Sequence, residues 1–163
     1  MDFRIEPVSI SDKKEIIDIF NHYVENSFAA YPEDKVPYEF FSHIQNMAEG
    51  YPFLVAKDGE GRVLGFALLR PHNPMPAFSR TADIAYFIAP GHTGQGIGWA
   101  MQVRLLNEAR ERGITSIMAS ISSLNSKSLN FHKKQGFQEC GRFQKVGRKW
   151  GQDFDEIWMQ KMI

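Results

Sequence analysis

The chain has 163 residues, 43% of them hydrophobic, which suits one domain with a continuous core over residues 1–163. Lys plus Arg and Asp plus Glu balance at 19 each, so no net field draws in nucleic acid or an anionic membrane, and the single cysteine, Cys140, excludes an internal disulfide or a multi-cysteine metal cluster. No apolar run reaches signal-peptide or membrane-span length, and we expect a soluble cytoplasmic protein.

"FRIEPV" reads as a first strand stopped by Pro7. Ser9 with Asp12 three residues on fits a capping box, and Ile16, Ile17, Phe20 and Val24 follow at helical spacing. "SFAAYPEDKVP" is a loop, and "YEFFSHIQNMAEG" a second helix closed by Gly50. "PFLVAKD" and "RVLGFALLR" flank a glycine turn as a hairpin. "PHNPMPAF" carries three prolines and is a surface loop. "TADIAYFIA" is a strand; a turn from Gly94 leads into a long helix ending near Gly113; "ITSIMASIS" is the next strand. "SKSLNFHKKQGF" is a shorter helix ended by Gly136, with "ECGRFQKVG" and "DEIWMQKM" as a final antiparallel pair. Helices among strands, with hairpins in the middle and at the end, predict an α/β fold on a mixed sheet.

The loop "PGHTGQGIG" sets four glycines within eight residues at the start of a helix. Free N–H groups of a first helical turn attract anions, so a phosphate is the expected ligand. Walker A fails, because Ile97 stands where lysine is needed. The dinucleotide fingerprint fails from Gly94, where Trp99 occupies the third glycine position; the register from Gly96 stays open. Gly94, Gly96 and Gly98 alternate across the expected first turn, where glycine costs up to about 1 kcal/mol against alanine. Close approach of a ligand to the main chain would offset that cost.

Together with "NSKSLNFHKKQGF" after the next strand, "YFIAPGHTGQGIGWAMQVRLLNEARERG" resembles the GNAT superfamily of acetyl-CoA-dependent N-acyltransferases. There an Arg/Gln-x-x-Gly-x-Gly/Ala loop holds the pyrophosphate of coenzyme A through main-chain N–H groups. "IFNHYVENS", "YPFLVA", "FHKKQGF" and "VGRKWG" narrow the resemblance to the phosphinothricin and methionine sulfone acetyltransferase group, over nearly the whole chain. It implies a mostly antiparallel central sheet flanked by helices, acetyl-CoA as cofactor, and a small primary amine as acceptor. Direct attack in a ternary complex is implied as well. Members of the group form homodimers, and the aromatic C-terminal strands offer a surface for one. Competing readings are a protein N-terminal, lysine or polyamine acetyltransferase, and a non-catalytic acyl-CoA-binding regulator.

The resemblance assigns cofactor contacts to Tyr86, Phe87 and Ile88 on the strand, to Thr93, Gly94, Gln95, Gly96, Ile97, Gly98 and Trp99 at the loop, and to Asn125 and Ser128 at the next helix. Thr93 replaces the usual Arg or Gln, with Gln95 as a substitute donor. Asp83 stands one methylene short of the group's glutamate base and reads equally as a strand-end charge facing water. Alone it is a poor base, with an ordinary pKa near ~3.9, and would act through water or anchor the ammonium. His132, where many relatives carry tyrosine, is the expected proton donor to the departing thiolate, or else a half-buried helix histidine. Asn125 contacts the sulfur or pantetheine arm, or caps its helix. A strand N–H near Phe87 or Ile88 is expected to stabilise the oxyanion. Phe78 and Arg80 are candidates for the acceptor body and its carboxylate, with Arg80 displaced by one residue onto the opposite strand face. Tyr23, next to His22 on the first helix, lines the acceptor site or packs in the core. Cys140 reads as a small buried apolar group. "GRFQKVGRK" and Lys133–Lys134 face water in preference to a coenzyme phosphate. His43, His72 and His92 show no metal-ligand spacing, and no metal is expected.

Overall fold

A computed structural model describes residues 2–163. Seven strands form one sheet in the order β1-β2-β3-β4-β5-β7-β6. They are β1 (Arg4–Pro7), β2 (Phe53–Lys57), β3 (Val63–Pro71), β4 (Thr81–Ile88), β5 (Ser116–Ser122), β6 (Gln138–Lys149) and β7 (Gln152–Met162). The helices are α1 (Lys13–Asn26), α2 (Phe40–Met47), α3 (Ile97–Glu111) and α4 (Ser126–Lys134). Every strand pair is antiparallel except β4 with β5. Among the described residues no helix is long and apolar enough to cross a membrane.

Strand alternation divides the core into two layers. Ala82 and Ile84 of β4 face one side with Ile97, Met101, Leu105, Leu106 and Ala109 of α3, and Tyr86 and Ile88 pack against that cluster. The opposite face holds Ile16, Ile17 and Ile19 of α1 with Phe41 and Ile44 of α2, where Ala85 and Phe87 pack. The Ser9–Asp12 capping box forms around a 3-10 turn at Ile10–Asp12, and the regular helix begins at Lys13.

Several expectations are corrected. Helix α3 starts at Ile97, so Gly94 and Gly96 precede it and Gly98 alone lies within its first turn. Gly94 and Gly96 have φ of +73° and +83°, a region that a side chain disfavours, and Gly96 is the helix N-cap. The proline loop contains a 3-10 turn at Pro76–Phe78. Arg80 lies in the turn ahead of β4, so strand alternation does not assign it a face; it is exposed, and its carbonyl accepts from Thr115 and Ser116 N–H. Cys140 is exposed, because β6 is an edge strand with an irregular register at Glu139/Gly141. Lys149 does not face water. Its buried ammonium donates to the carbonyls of Val24, Ser27 and Ala30, each at 2.7 Å, tying the end of α1 to the β6–β7 hairpin.

Candidate active site

Strands β4 and β5 pair only from Thr81–Asp83 to Ser116–Met118. Beyond that the two parallel strands separate at their carboxyl ends, where α/β sheets bind ligands. The N–H of His72 donates to Thr81 and that of Ala89 to Leu64. Odd-numbered residues of β4 therefore engage β3, and Ile84, Tyr86 and Ile88 aim their N–H and C=O groups into the gap. Of the two N–H groups expected near the oxyanion, that of Phe87 is held in the β3–β4 ladder. Ile88 N–H remains. The Tyr23 hydroxyl donates to the Ile88 carbonyl, which places this α1 residue at the mouth of the gap.

At the same end lies the glycine loop. Among the described residues, none of the main-chain N–H groups from Thr93 to Trp99 donates to a protein acceptor. They form a row of unpaired donors at a helix N-terminus, the arrangement that holds a diphosphate. Gln95 turns back, its Nε2 donating to Gly91 O at 3.3 Å. Helix α4 packs beside Gly98: a Cβ there would make an ordinary 3.5 Å contact with Phe131. Asn125 caps α4, its side chain accepting from Ser128 N–H at 3.3 Å. A coenzyme A diphosphate fits this loop, and its extended arm fits the unpaired edge of β4.

His132 is buried, not half-buried. Its Nδ1–H donates to Ser128 O at 2.7 Å and its Nε2 meets the Tyr86 hydroxyl, with the two rings stacked at 5.3 Å. Burial lowers the pKa of His132 and raises that of Tyr86, so both are neutral near pH 7. As placed, His132 has no free N–H to give.

The other face of the sheet carries the charges. Asp83 is buried, not a strand-end charge in water, and desolvation raises its pKa while the contact with His72 opposes the rise. His72 Nδ1 lies 2.7 Å from Asp83 Oδ1, and Arg70 Nε lies 3.8 Å from Oδ2. Arg70, directly opposite Asp83 on β3, is the arginine beside this cluster; Arg80, expected to meet an acceptor carboxylate, makes no side-chain hydrogen bond or ion pair with it. The His72 ring packs edge-on against Trp158, centroids 5.6 Å apart, and 6.3 Å from Phe78, which is thereby brought over the cluster. Glu156 accepts from Ser120 Oγ at 2.7 Å and from Trp158 Nε1 at 3.1 Å. Arg70, Ser120, Glu156 and Trp158 were not singled out in the sequence, and His72 was weighed there only as a metal ligand. The β3–β4 register brings Arg70 to Asp83, and the β5–β7 pairing brings Ser120, Glu156 and Trp158 together.

A family model described as "Acetyltransferase (GNAT) family" matches residues 16–137. The L-methionine sulfoximine/L-methionine sulfone acetyltransferase of Pseudomonas paraeruginosa is 30% identical over 98% of this chain and 94% of its own. A phosphinothricin acetyltransferase from Sinorhizobium meliloti, solved in complex with acetyl-CoA, superposes with a TM-score of 0.92 at 25% identity, covering 100% of this chain and 89% of its own. A ribosomal-protein-alanine N-acetyltransferase from Brucella melitensis gives 0.89 at 34% identity over 98% and 99%. With its parting parallel strands, its unpaired loop amides and this match over most of its length, the chain belongs to the GNAT family of N-acetyltransferases, which use acetyl-CoA.

Proposed function

We propose that this chain is a single catalytic domain that moves acetyl from acetyl-CoA to the primary amine of a small, amino-acid-like acceptor, by direct attack in a ternary complex. The observation that carries the acceptor class is the pairing of a guanidinium and a carboxylate, Arg70 and Asp83, 3.8 Å apart beside the opening of the β4–β5 gap. A zwitterionic head group offers the matching charges: its carboxylate to Arg70, its ammonium to the Asp83 side. A peptide N-terminus or a polyamine has no carboxylate next to its amine. The Pseudomonas and Sinorhizobium relatives, named for methionine sulfone and phosphinothricin, support the same class.

In this reading the loop from Thr93 to Trp99 and the gap-facing groups of Ile84, Tyr86 and Ile88 hold the acyl donor. The donor supplies an activated acetyl thioester. Ile88 N–H is the candidate oxyanion donor, worth about 3 kcal/mol if it acts as such groups do elsewhere. Asn125 and Ser128 flank the thiol end. His132 positions Tyr86 and is not itself the proton donor. Tyr23 and Phe78 border the acceptor. A cytoplasmic location, no nucleic-acid partner and a homodimer through the exposed β6 edge, where Phe143 and Val146 are exposed, complete the reading.

Thiol release measured over free L-amino acids, their carboxamides, short peptides and polyamines tests the acceptor. Free amino acids are expected to react, and their carboxamides to lose most of kcat/KM. Equal rates on peptides or polyamines would refute the assignment, and acetyl-CoA binding without turnover would mark a non-catalytic binder.

A further inference from the structure

We propose that His72 is the general base of the transfer and that Asp83 is the residue that positions it. The inference rests on the N-acetyltransferase reading above and adds the identity of the proton acceptor. Asp83 is poorly placed to take a proton itself. Its side chain is only 10% exposed, Oδ1 is occupied by His72, and Oδ2 faces Arg70. The imidazole is 31% exposed and held at Nδ1 alone. An ionised carboxylate only accepts, so the proton between the two groups sits on Nδ1, and Nε2 is left with its lone pair. Among the described residues Nε2 has no partner.

The ring lies where the reaction needs a base. His72 follows Pro71, the last residue of β3, and its N–H is anchored to Thr81, the first residue of β4. Its imidazole contacts Trp158 of β7, which pairs with Ser120 of β5. It therefore spans the face of the sheet at the apex of the β4–β5 gap, two residues before Ser120. A carboxylate bonded to one imidazole nitrogen, with the other nitrogen unpartnered, is the arrangement of a hydrolase triad without its nucleophile. An acceptor ammonium gives one proton to Nε2. The freed lone pair forms the C–N bond as the C–S bond breaks, and the second nitrogen proton leaves with the sulfur. The imidazolium, stabilised by Asp83, then returns its proton to water.

The test measures thiol release with the common L-amino acids and L-methionine sulfone, alongside calorimetry with acetyl-CoA. His72→Gln and Asp83→Asn are each expected to lower kcat by about 10²–10⁴, with the double variant no worse and acetyl-CoA affinity unchanged. Added imidazole is expected to restore a measurable part of kcat to His72→Gly but none to Asp83→Asn, a response that a structural role would not produce. The inference is overturned if His72→Gln keeps wild-type kcat while Asp83→Asn loses it, which would make Asp83 the base. It is also overturned if imidazole does nothing for a His72→Gly protein that still binds acetyl-CoA. Wild-type protein that turns over no amine removes the enzymatic reading itself, and this inference with it. Should His72→Gly not fold, comparison of His72→Gln with Asp83→Asn decides alone.

Discussion

Replacing Gly96 by alanine isolates the conformational demand of the cofactor loop. A Cβ at this position meets nothing within 4 Å, so no clash contributes, and the whole effect comes from φ of +83°. Holding an L-residue there costs about 1–2 kcal/mol. That energy has two destinations. If the loop keeps its shape, stability falls by this amount, roughly 2–8 °C in melting temperature for a chain of this size, and acetyl-CoA affinity is unchanged. If the loop relaxes, stability is preserved, the amides turn away, and affinity falls by about five- to thirty-fold, because binding must restore the strained shape. In both cases the two losses sum to about 1–2 kcal/mol. Gly98→Ala is the control. It lies within α3, its Cβ would make an ordinary 3.5 Å contact with Phe131, and helix propensity gains up to about 1 kcal/mol, so its melting temperature rises. Thermal unfolding paired with calorimetry on the same preparations reads both terms. A Gly96→Ala protein with wild-type stability and wild-type affinity would refute the argument.

Gly65→Ala would set a Cβ 2.9 Å from Ile88 Cδ1 and 3.0 Å from Phe87 O. Strand β4 must shift at Ile88, with an expected destabilisation of about 1–3 kcal/mol and a drop in kcat/KM larger than any change in acetyl-CoA affinity; denaturant titration and thiol release check this. Lys149→Met would strand three carbonyls, those of Val24, Ser27 and Ala30, at the end of α1 and the loop after it. We expect a loss of about 3 kcal/mol or more by calorimetry, with no rescue by arginine, whose planar fork does not converge on three acceptors. His132 has a lowered pKa from burial, so the folded chain resists a proton that the unfolded chain accepts near pH ~6.5. Its contribution is present above that value and lost as pH falls through the lower folded value. Asp83, shifted upward, has the opposite sign and acts in the carboxylate range, so urea midpoints measured from pH 7 to 5.5 should fall in wild type and fall less in His132→Phe.

Most of the fold was legible because its signals are local. The hairpin at Lys57–Val63, the capping box at Ser9 and the apolar spacing of α1 each depend on a few neighbouring residues, and all three formed. The glycine loop was legible for the same reason: glycine tolerates left-handed main chain, and Gly94 and Gly96 adopt it. The boundaries moved where a cap decides them, as at Ile97, where Gly96 begins the helix two residues later than the turn at Gly94 implied. The acceptor side was not legible. Arg70 and Asp83 are 13 positions apart in the sequence and meet only through the β3–β4 register, and His72 reaches Asp83 across the same pair of strands. Composition singles out none of these. A histidine beside a proline loop looks like surface until the strand it follows is paired. Lys149 failed for a related reason: the carbonyls that hold it lie more than a hundred residues away, so its charge read as solvated.

In the proposed function, strand alternation gives the two substrates different chemistry. Tyr86 faces α3 and α4, where it is closed off with His132 in a neutral, stacked pair, and the donor side of the gap is served by main-chain amides. Asp83 points the other way, into the company of Arg70, His72 and Glu156. Main-chain recognition tolerates side-chain change, so the donor site can survive Thr93 in place of an Arg or Gln side-chain donor. Charge recognition does not. A carboxylate one methylene shorter than a glutamate reaches less far, and His72 Nδ1, 2.7 Å from Asp83 Oδ1, extends the polar arm that the acid begins. Asp83 and His72 form one hydrogen-bonded unit, and changing either alone should disable transfer without loosening the hold on acetyl-CoA.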